Sequence, residues 1–234
     1  MRCFIIGSGP SLKDFHFPRL NNEITIGINY CFKYFIPTIL AFTDYRIYSG
    51  AMIEKNGKRM PEDNRAVFEN LDCIKITKIG NGNIPGVYYI PLSGTFNGAD
   101  GLSKGLYTDY MTGIWAISLA VALKFSPIYL LGYDCKFDNG VGHFYSNDFR
   151  HKGDEKGMES SFKQSIEYYN KFRNTPGIYN CNPDSGIKVF PFADIDEVLK
   201  KSESNNLTMI KEYVINTLKD NHIRKYEEID ENLD

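Results

Sequence analysis

The chain has 234 residues, 42% hydrophobic and 24% charged, with 27 Lys+Arg against 29 Asp+Glu and a formal net charge of -2 at pH 7. This balance excludes disorder, a collagen-like repeat and the broad basic footprint of a duplex nucleic-acid binder. Five cysteines without a C-x-x-C pair argue against a zinc knuckle or a disulfide framework and point to a reducing, cytoplasmic setting. From the N-terminus, Cys3 to Ile6 is a short apolar run entering Gly7-Ser8-Gly9-Pro10-Ser11-Leu12, the pattern of a buried strand, a tight turn and a helix. The apolar start is too short for a signal peptide, so no secretory leader is expected. Strands are expected at Ile24 to Ile28, ending at Asn29, and at Thr38 to Thr43, ending at Asp44, with a short helix from Tyr30 to Phe35 that Pro37 stops.

From Arg46 to Thr108 the glycine-dotted pattern predicts edge strands, at Cys73 to Thr77 and Val87 to Ile90, among long loops. Thr112 to Leu123 is apolar nearly all round, which marks a helix buried in the domain, and Ile128 to Gly132 follows as a strand ending at Asp134. No run is long enough to span a membrane. Residues 136–157 are polar and too long for a routine connection, so a lid is expected there. An amphipathic helix is predicted over Phe162 to Phe172, then strands at Ile178 to Cys181 and Ile187 to Phe190, a helix capped by Asp194, and a last helix over Leu207 to Leu218. The alternation predicts an α/β fold, a Rossmann-like, mostly parallel sheet with helices on both faces and a lid-like insertion. Residues 1–202 form one domain in this reading, and 203–234 a C-terminal helix with an acidic tail.

Ligands of such sheets bind outside the carboxyl ends of the strands, which nominates Gly7, Ser8, Gly9, Ser11, Asn29, Asp44 and Asp134. The glycine turn lacks the Lys-Ser/Thr of a Walker A loop and the third glycine of the dinucleotide fingerprint. Its amides and a following helix N-terminus suit an anion, but a plain strand-to-helix turn reads the same way. Thr112-Gly113 opens a second helix N-terminus, readable as a ligand contact or only a cap. Asn29, Asp44 and Asp134 are also common turn formers. His143, in the long polar segment, is the best placed of the four histidines for a general base, against an exposed loop histidine as the plain alternative. Sixteen Tyr and sixteen Phe beside one Trp are mostly packing in this reading, with Tyr133 and Tyr145 flanking the site.

Taken in order, Ile5-Ile6-Gly7-Ser8-Gly9-Pro10-Ser11-Leu12, Gly27-Ile28-Asn29, Thr112-Gly113 and Ile128-Tyr129-Leu130-Leu131-Gly132-Tyr133-Asp134 resemble the bacterial sialyltransferases of glycosyltransferase family 42. The set is also similar to the wider group that includes the 6-hydroxymethylpterin diphosphokinases and the Maf flagellin-modification proteins. Tyr179 to Ile187, with Phe190-Pro191-Phe192, resembles that group's closing strand pair. The resemblance implies a CMP-sugar held by Gly9, Ser11, Asn29, Thr112 and Gly113, with His143 as base on the acceptor hydroxyl. Two tyrosines that hold the leaving phosphate in the sialyltransferases do not map; Lys136 stands near the first, and Tyr145 follows the histidine.

The expectation is therefore a sialyltransferase-like glycosyltransferase that needs no cofactor and acts on a glycan hydroxyl, with no nucleic-acid partner. Diphosphoryl transfer from ATP, with Asp44 and Asp134 near Mg²⁺, is the second enzymatic expectation. A noncatalytic phage or surface-polysaccharide accessory protein is the third.

Overall fold

A computed structural model describes residues 1–50, 52–55, 58–108, 111–145, 150–151, 155–201 and 205–226. In chain order its elements are β1 (Cys3–Ile6), β2 (Thr25–Ile28), β3 (Ile39–Phe42), α1 (Arg46–Ser49), β4 (Met52–Lys55), β5 (Lys58–Pro61) and α2 (Arg65–Glu69). There follow β6 (Ile74–Lys78), β7 (Val87–Ile90), β8 (Leu92–Ser93), α3 (Gly101–Lys104), β9 (Leu106–Tyr107), α4 (Thr112–Ala122) and β10 (Ile128–Leu131). The last are β11 (Arg150–His151), α5 (Glu155–Tyr169), β12 (Ile178–Asn180), α6 (Ile195–Lys200) and α7 (Leu207–Asp220).

Seven strands form one sheet in the order β12-β10-β1-β2-β3-β6-β7, every neighbouring pair parallel. Successive side chains of β1 face opposite layers: Cys3 and Ile5 join a core with α4 and α7, while Phe4 and Ile6 join one with the segments after β1, β2 and β3. Burial on both faces is why these strands read as unbroken apolar runs. From β1 the chain builds outward to β7, then returns across β1 to add β10 and β12. The order in which strands are added thus reverses between β1 and β10, and there a crevice opens at the carboxyl ends.

Several expectations change. The turn after β1 enters no α-helix but a single 3₁₀ turn, Pro10–Leu12, and the helix expected from Tyr30 to Phe35 is a 3₁₀ segment, Asn29–Lys33. β7 is an edge strand as expected, but β6 lies inside the sheet between β3 and β7. Ile187 to Phe190 is not a strand. Its buried residues, Ile187 and Phe190, are three apart, a spacing that a strand places on opposite faces, and the Asn180 N–H bonds instead to the Pro191 carbonyl at 2.9 Å. α7 is integral to the body of the fold: Ile210, Val214 and Leu218 share the core of β1 and α4, and the Tyr213 hydroxyl donates to the Leu123 carbonyl (3.0 Å). Residues 146–149 and 152–154 of the expected lid, and 227–234 of the acidic tail, lie outside the described residues. Among the described residues no helix is long and apolar enough to cross a membrane.

Candidate functional site

At the point of reversal two glycine turns interlock. Gly7 N–H donates to the Leu131 carbonyl (2.7 Å) and Gly9 N–H to the Gly132 carbonyl (2.8 Å). Gly132 has φ of 66°, and a Cβ on Gly7 would lie 2.5 Å from the Gly132 oxygen, so the two backbones touch where no side chain fits. Asp134, 2% exposed, closes the turn: its Oδ2 accepts from Ser11 N–H (2.7 Å) and its Oδ1 from the Ser11 hydroxyl (2.6 Å) and Asn182 Nδ2 (2.7 Å). The amides of Gly7, Gly9 and Ser11 are therefore used within the chain. The expected anion cradle is not formed by them in this conformation, and the lone 3₁₀ turn supplies no extended helix dipole behind it.

The other helix N-terminus is better placed. α4 runs for eleven residues, no side chain caps its first turn, and Met111 and Gly113 line a cavity that also meets Gly7, Ser8 and Gly9. The Thr112 hydroxyl is hydrogen-bonded to that of Thr43, just beyond β3 (2.7 Å), and the Tyr133 hydroxyl donates to the Gly113 carbonyl (3.0 Å). Asn29, beyond β2, takes φ of 50°, and its Oδ1 is buried with no hydrogen-bond partner among the described residues.

His143 lines the same cavity. Its segment is anchored to the glycine turn, with Phe144 N–H donating to the Ser8 carbonyl (3.0 Å) and the Tyr145 hydroxyl bonded to the Ser8 side chain. The Tyr145 ring stacks on the imidazole with centroids 5.0 Å apart and planes 20° from parallel. Burial pushes the Tyr145 hydroxyl well above the usual tyrosine range, so it stays neutral. The cavity holds about 60 Å³. That is room for about two waters at liquid density, and ligand pockets run to ~300–1,000 Å³.

Of the nominated residues, Ser11, Asn29, Asp44, Thr112, Lys136 and Tyr145 do not line the cavity. Asp44 precedes α1, where it accepts from the Arg46 amide (2.9 Å) and the Arg46 Nε (2.9 and 3.0 Å), an arrangement that raises the Arg46 guanidinium. Lys136 is exposed and does not line the cavity. Among the described residues no group of three or more His, Cys, Asp or Glu is placed to hold a metal ion. The sequence reading missed Cys135, Phe162 and Tyr169, which form the far wall. Tyr169 donates to Cys135, and burial lifts that thiol to about 11. Phe162 and Tyr169 have no local motif, and only the docking of α5 brings them in; Cys135 directly follows Asp134 beyond β10.

No known protein family and no curated protein sequence matches the chain. Among solved structures it is similar to the Maf glycosyltransferase from Magnetospirillum magneticum AMB-1, with a TM-score of 0.50 and 15% identity over 95% of this chain and 37% of that one. The chain thus spans little more than a third of that protein. It is also similar to the sialyltransferase CstII from Campylobacter jejuni in complex with the substrate analogue CMP-3FNeuAc, with a TM-score of 0.42 and 14% identity over 88% of this chain and 87% of that one. For the same sialyltransferase with a trisaccharide acceptor and CMP the TM-score is 0.45, at 14% identity and the same coverage. At such identities the likeness is one of fold, an α/β architecture shared with the Maf glycosyltransferase.

Proposed function

We propose that this chain is a glycosyltransferase that moves a sugar from a nucleotide-activated donor to a glycan hydroxyl. The observation that supports it most is that His143, the glycine turn and the N-terminus of α4 line one cavity where the strand order reverses. The Maf glycosyltransferase fold fits the same reading, and a cytidine donor rests on the motif resemblance alone.

His143 accepts the proton of the acceptor hydroxyl. The freed oxygen attacks the anomeric carbon, the bond from that carbon to the donor phosphate breaks, and the electron pair leaves on the phosphate oxygen. The growing charge needs donors already in place, and the Thr112 and Gly113 amides that open α4, beside the Thr112 hydroxyl shared with Thr43, lie outside the glycine interlock. Asn29 Oδ1 offers an acceptor to the nucleotide. Asp134 keeps the turn shaped, and Lys136 has no part in this arrangement. No step runs through a metal, because Asp44 and Asp134 already have partners in Arg46, Ser11 and Asn182. The cavity is smaller than a nucleotide, so binding requires the His143 segment or Phe162 to move outward.

Thermal unfolding of the purified chain with CMP, UDP, GDP and ATP, each with and without Mg²⁺, tests the reading. Stabilisation by CMP or UDP without metal is the expected result, together with loss of sugar transfer in His143→Ala. A preference for ATP with Mg²⁺ would replace it with diphosphoryl transfer. Glycan binding that survives His143→Ala with no nucleotide effect would make the chain a noncatalytic accessory protein.

A further inference from the structure

The outer edge of the sheet is covered by the chain's own end. After α7 the backbone turns at His222, with φ of 59°, and runs antiparallel along β7: Tyr88 bridges Lys225, Tyr89 N–H donates to the Arg224 carbonyl (3.4 Å), and Tyr226 N–H donates to the Val87 carbonyl (3.2 Å). Opposite lies the turn that leaves the carboxyl end of β6. Tyr89 fixes it, its hydroxyl donating to the Gly82 carbonyl (2.6 Å) and accepting from Ile84 N–H (2.7 Å). Two parts of the chain more than a hundred residues apart thus border an open pocket of about 380 Å³.

This size is that of a small-molecule pocket, roughly 300–1,000 Å³. Tyr89, Tyr226, His222 and Arg224 line it, with Ile79, 59% exposed, at the same pocket. Among the described residues Arg224 has no carboxylate partner, and a guanidinium fork binds carboxylate or phosphate through two parallel hydrogen bonds. Tyrosine rings offer flat apolar faces beside it. A Cβ on Gly80 would meet no atom within 4 Å, so a ligand has room beside that backbone.

We propose that this pocket is a second binding site, for a small ligand that joins a ring to a carboxylate or phosphate. It stands whether or not the chain is a glycosyltransferase. Four strand steps separate β7 from β1, about 19 Å at the usual spacing, so the pocket is distinct from the cavity of His143. The ring has two sources, a sugar or a nucleoside, which share this chemistry and differ in a measurement.

Calorimetric titration of the full chain with glucuronate, glucose 6-phosphate, UMP and uncharged glucose tests the proposal. At least one anionic probe binds and glucose does not. UMP binding ahead of both sugars identifies a nucleoside, and the reverse a sugar. Arg224→Gln weakens binding at least tenfold, and Ile79→Ser, a second exposed position, weakens it too, while His143→Ala leaves it unchanged. No anionic probe binding at millimolar concentration overturns the proposal. So does binding that Arg224→Gln and Ile79→Ser leave intact, or that His143→Ala removes, which places the ligand in the other cavity.

Discussion

At Ser11 both the backbone N–H and the hydroxyl are directed to Asp134, and Asn182 holds the same carboxylate from the other side. A phosphate would use the same Ser11 donors, so the carboxylate stands in for an anion and gives the turn its shape without one. Asp134→Ala removes the shared acceptor of three partly buried hydrogen bonds; hydrogen bonds to charged groups are worth about 1.5–3 kcal/mol, and a loss of about 3 kcal/mol is expected. For a chain of this size that lowers Tm by roughly 6–12 °C, measured by thermal unfolding. Gly7 tests the interlock itself. A Cβ there would sit 2.5 Å from the Gly132 carbonyl oxygen, a backbone atom that cannot swing aside, and Gly7→Ala should cost about 1–3 kcal/mol in a denaturant titration. Gly94 is the control, because a Cβ there meets nothing within 4 Å and its φ is not left-handed. Gly94→Ala should be neutral or stabilise by about 0.4–1 kcal/mol.

α4 shows which elements can be read from sequence. It is buried around almost its whole circumference, so its run from Thr112 to Ala122 has no polar stripe and is recognisable as an interior helix. β1, β2, β3 and β10 are legible for the same reason, since both faces of each are covered. The 3₁₀ turns were not legible: Pro10-Ser11-Leu12 has the composition of a helix start, and only the capture of Ser11 by Asp134, far along the chain, fixes it as one turn. His143 and the glycine turn could be nominated from position, because strand ends and long polar insertions leave a local mark. Phe162 and Tyr169 leave none, as their place in the site depends on how α5 docks, whereas Cys135 adjoins the strand end at Asp134. Within α4 the one buried hydroxyl away from the N-terminus, on Ser118, accepts from Tyr107 N–H of β9 (3.0 Å) and ties the small sheet to the helix. Ser118→Ala removes that acceptor from the buried Tyr107 amide. The expected cost is about 1–3 kcal/mol, with faster hydrogen exchange at Tyr107 than in the parent.

Across the whole molecule the cysteines are placed as apolar groups, and this sets a limit on the alkaline side. Burial is the largest cause in every case: Cys73 and Cys135 are lifted from 9.0 to about 11, Cys181 to about 12, and Cys3 and Cys31 further still. A raised thiol pKa means that the folded state keeps the proton while the unfolded chain releases it. The contribution to stability is therefore complete below pH 9 and is lost as pH climbs through the folded values. Each thiol costs about 1.4 kcal/mol for each pH unit between its two pKa values. With several thiols titrating together, a margin of about 5–15 kcal/mol does not last far above pH 10. The urea midpoint should be flat from pH 7 to 8.5 and then fall steadily to pH 11. Replacing Cys73 and Cys181, both away from the cavity, with alanine should reduce the slope even where it lowers stability at pH 7. An unchanged midpoint from pH 8 to 10.5, or the same slope in that double variant, would show that the thiols do not set the limit. Cys135, neutral at physiological pH beside Tyr169, belongs to the wall of the cavity rather than to its chemistry.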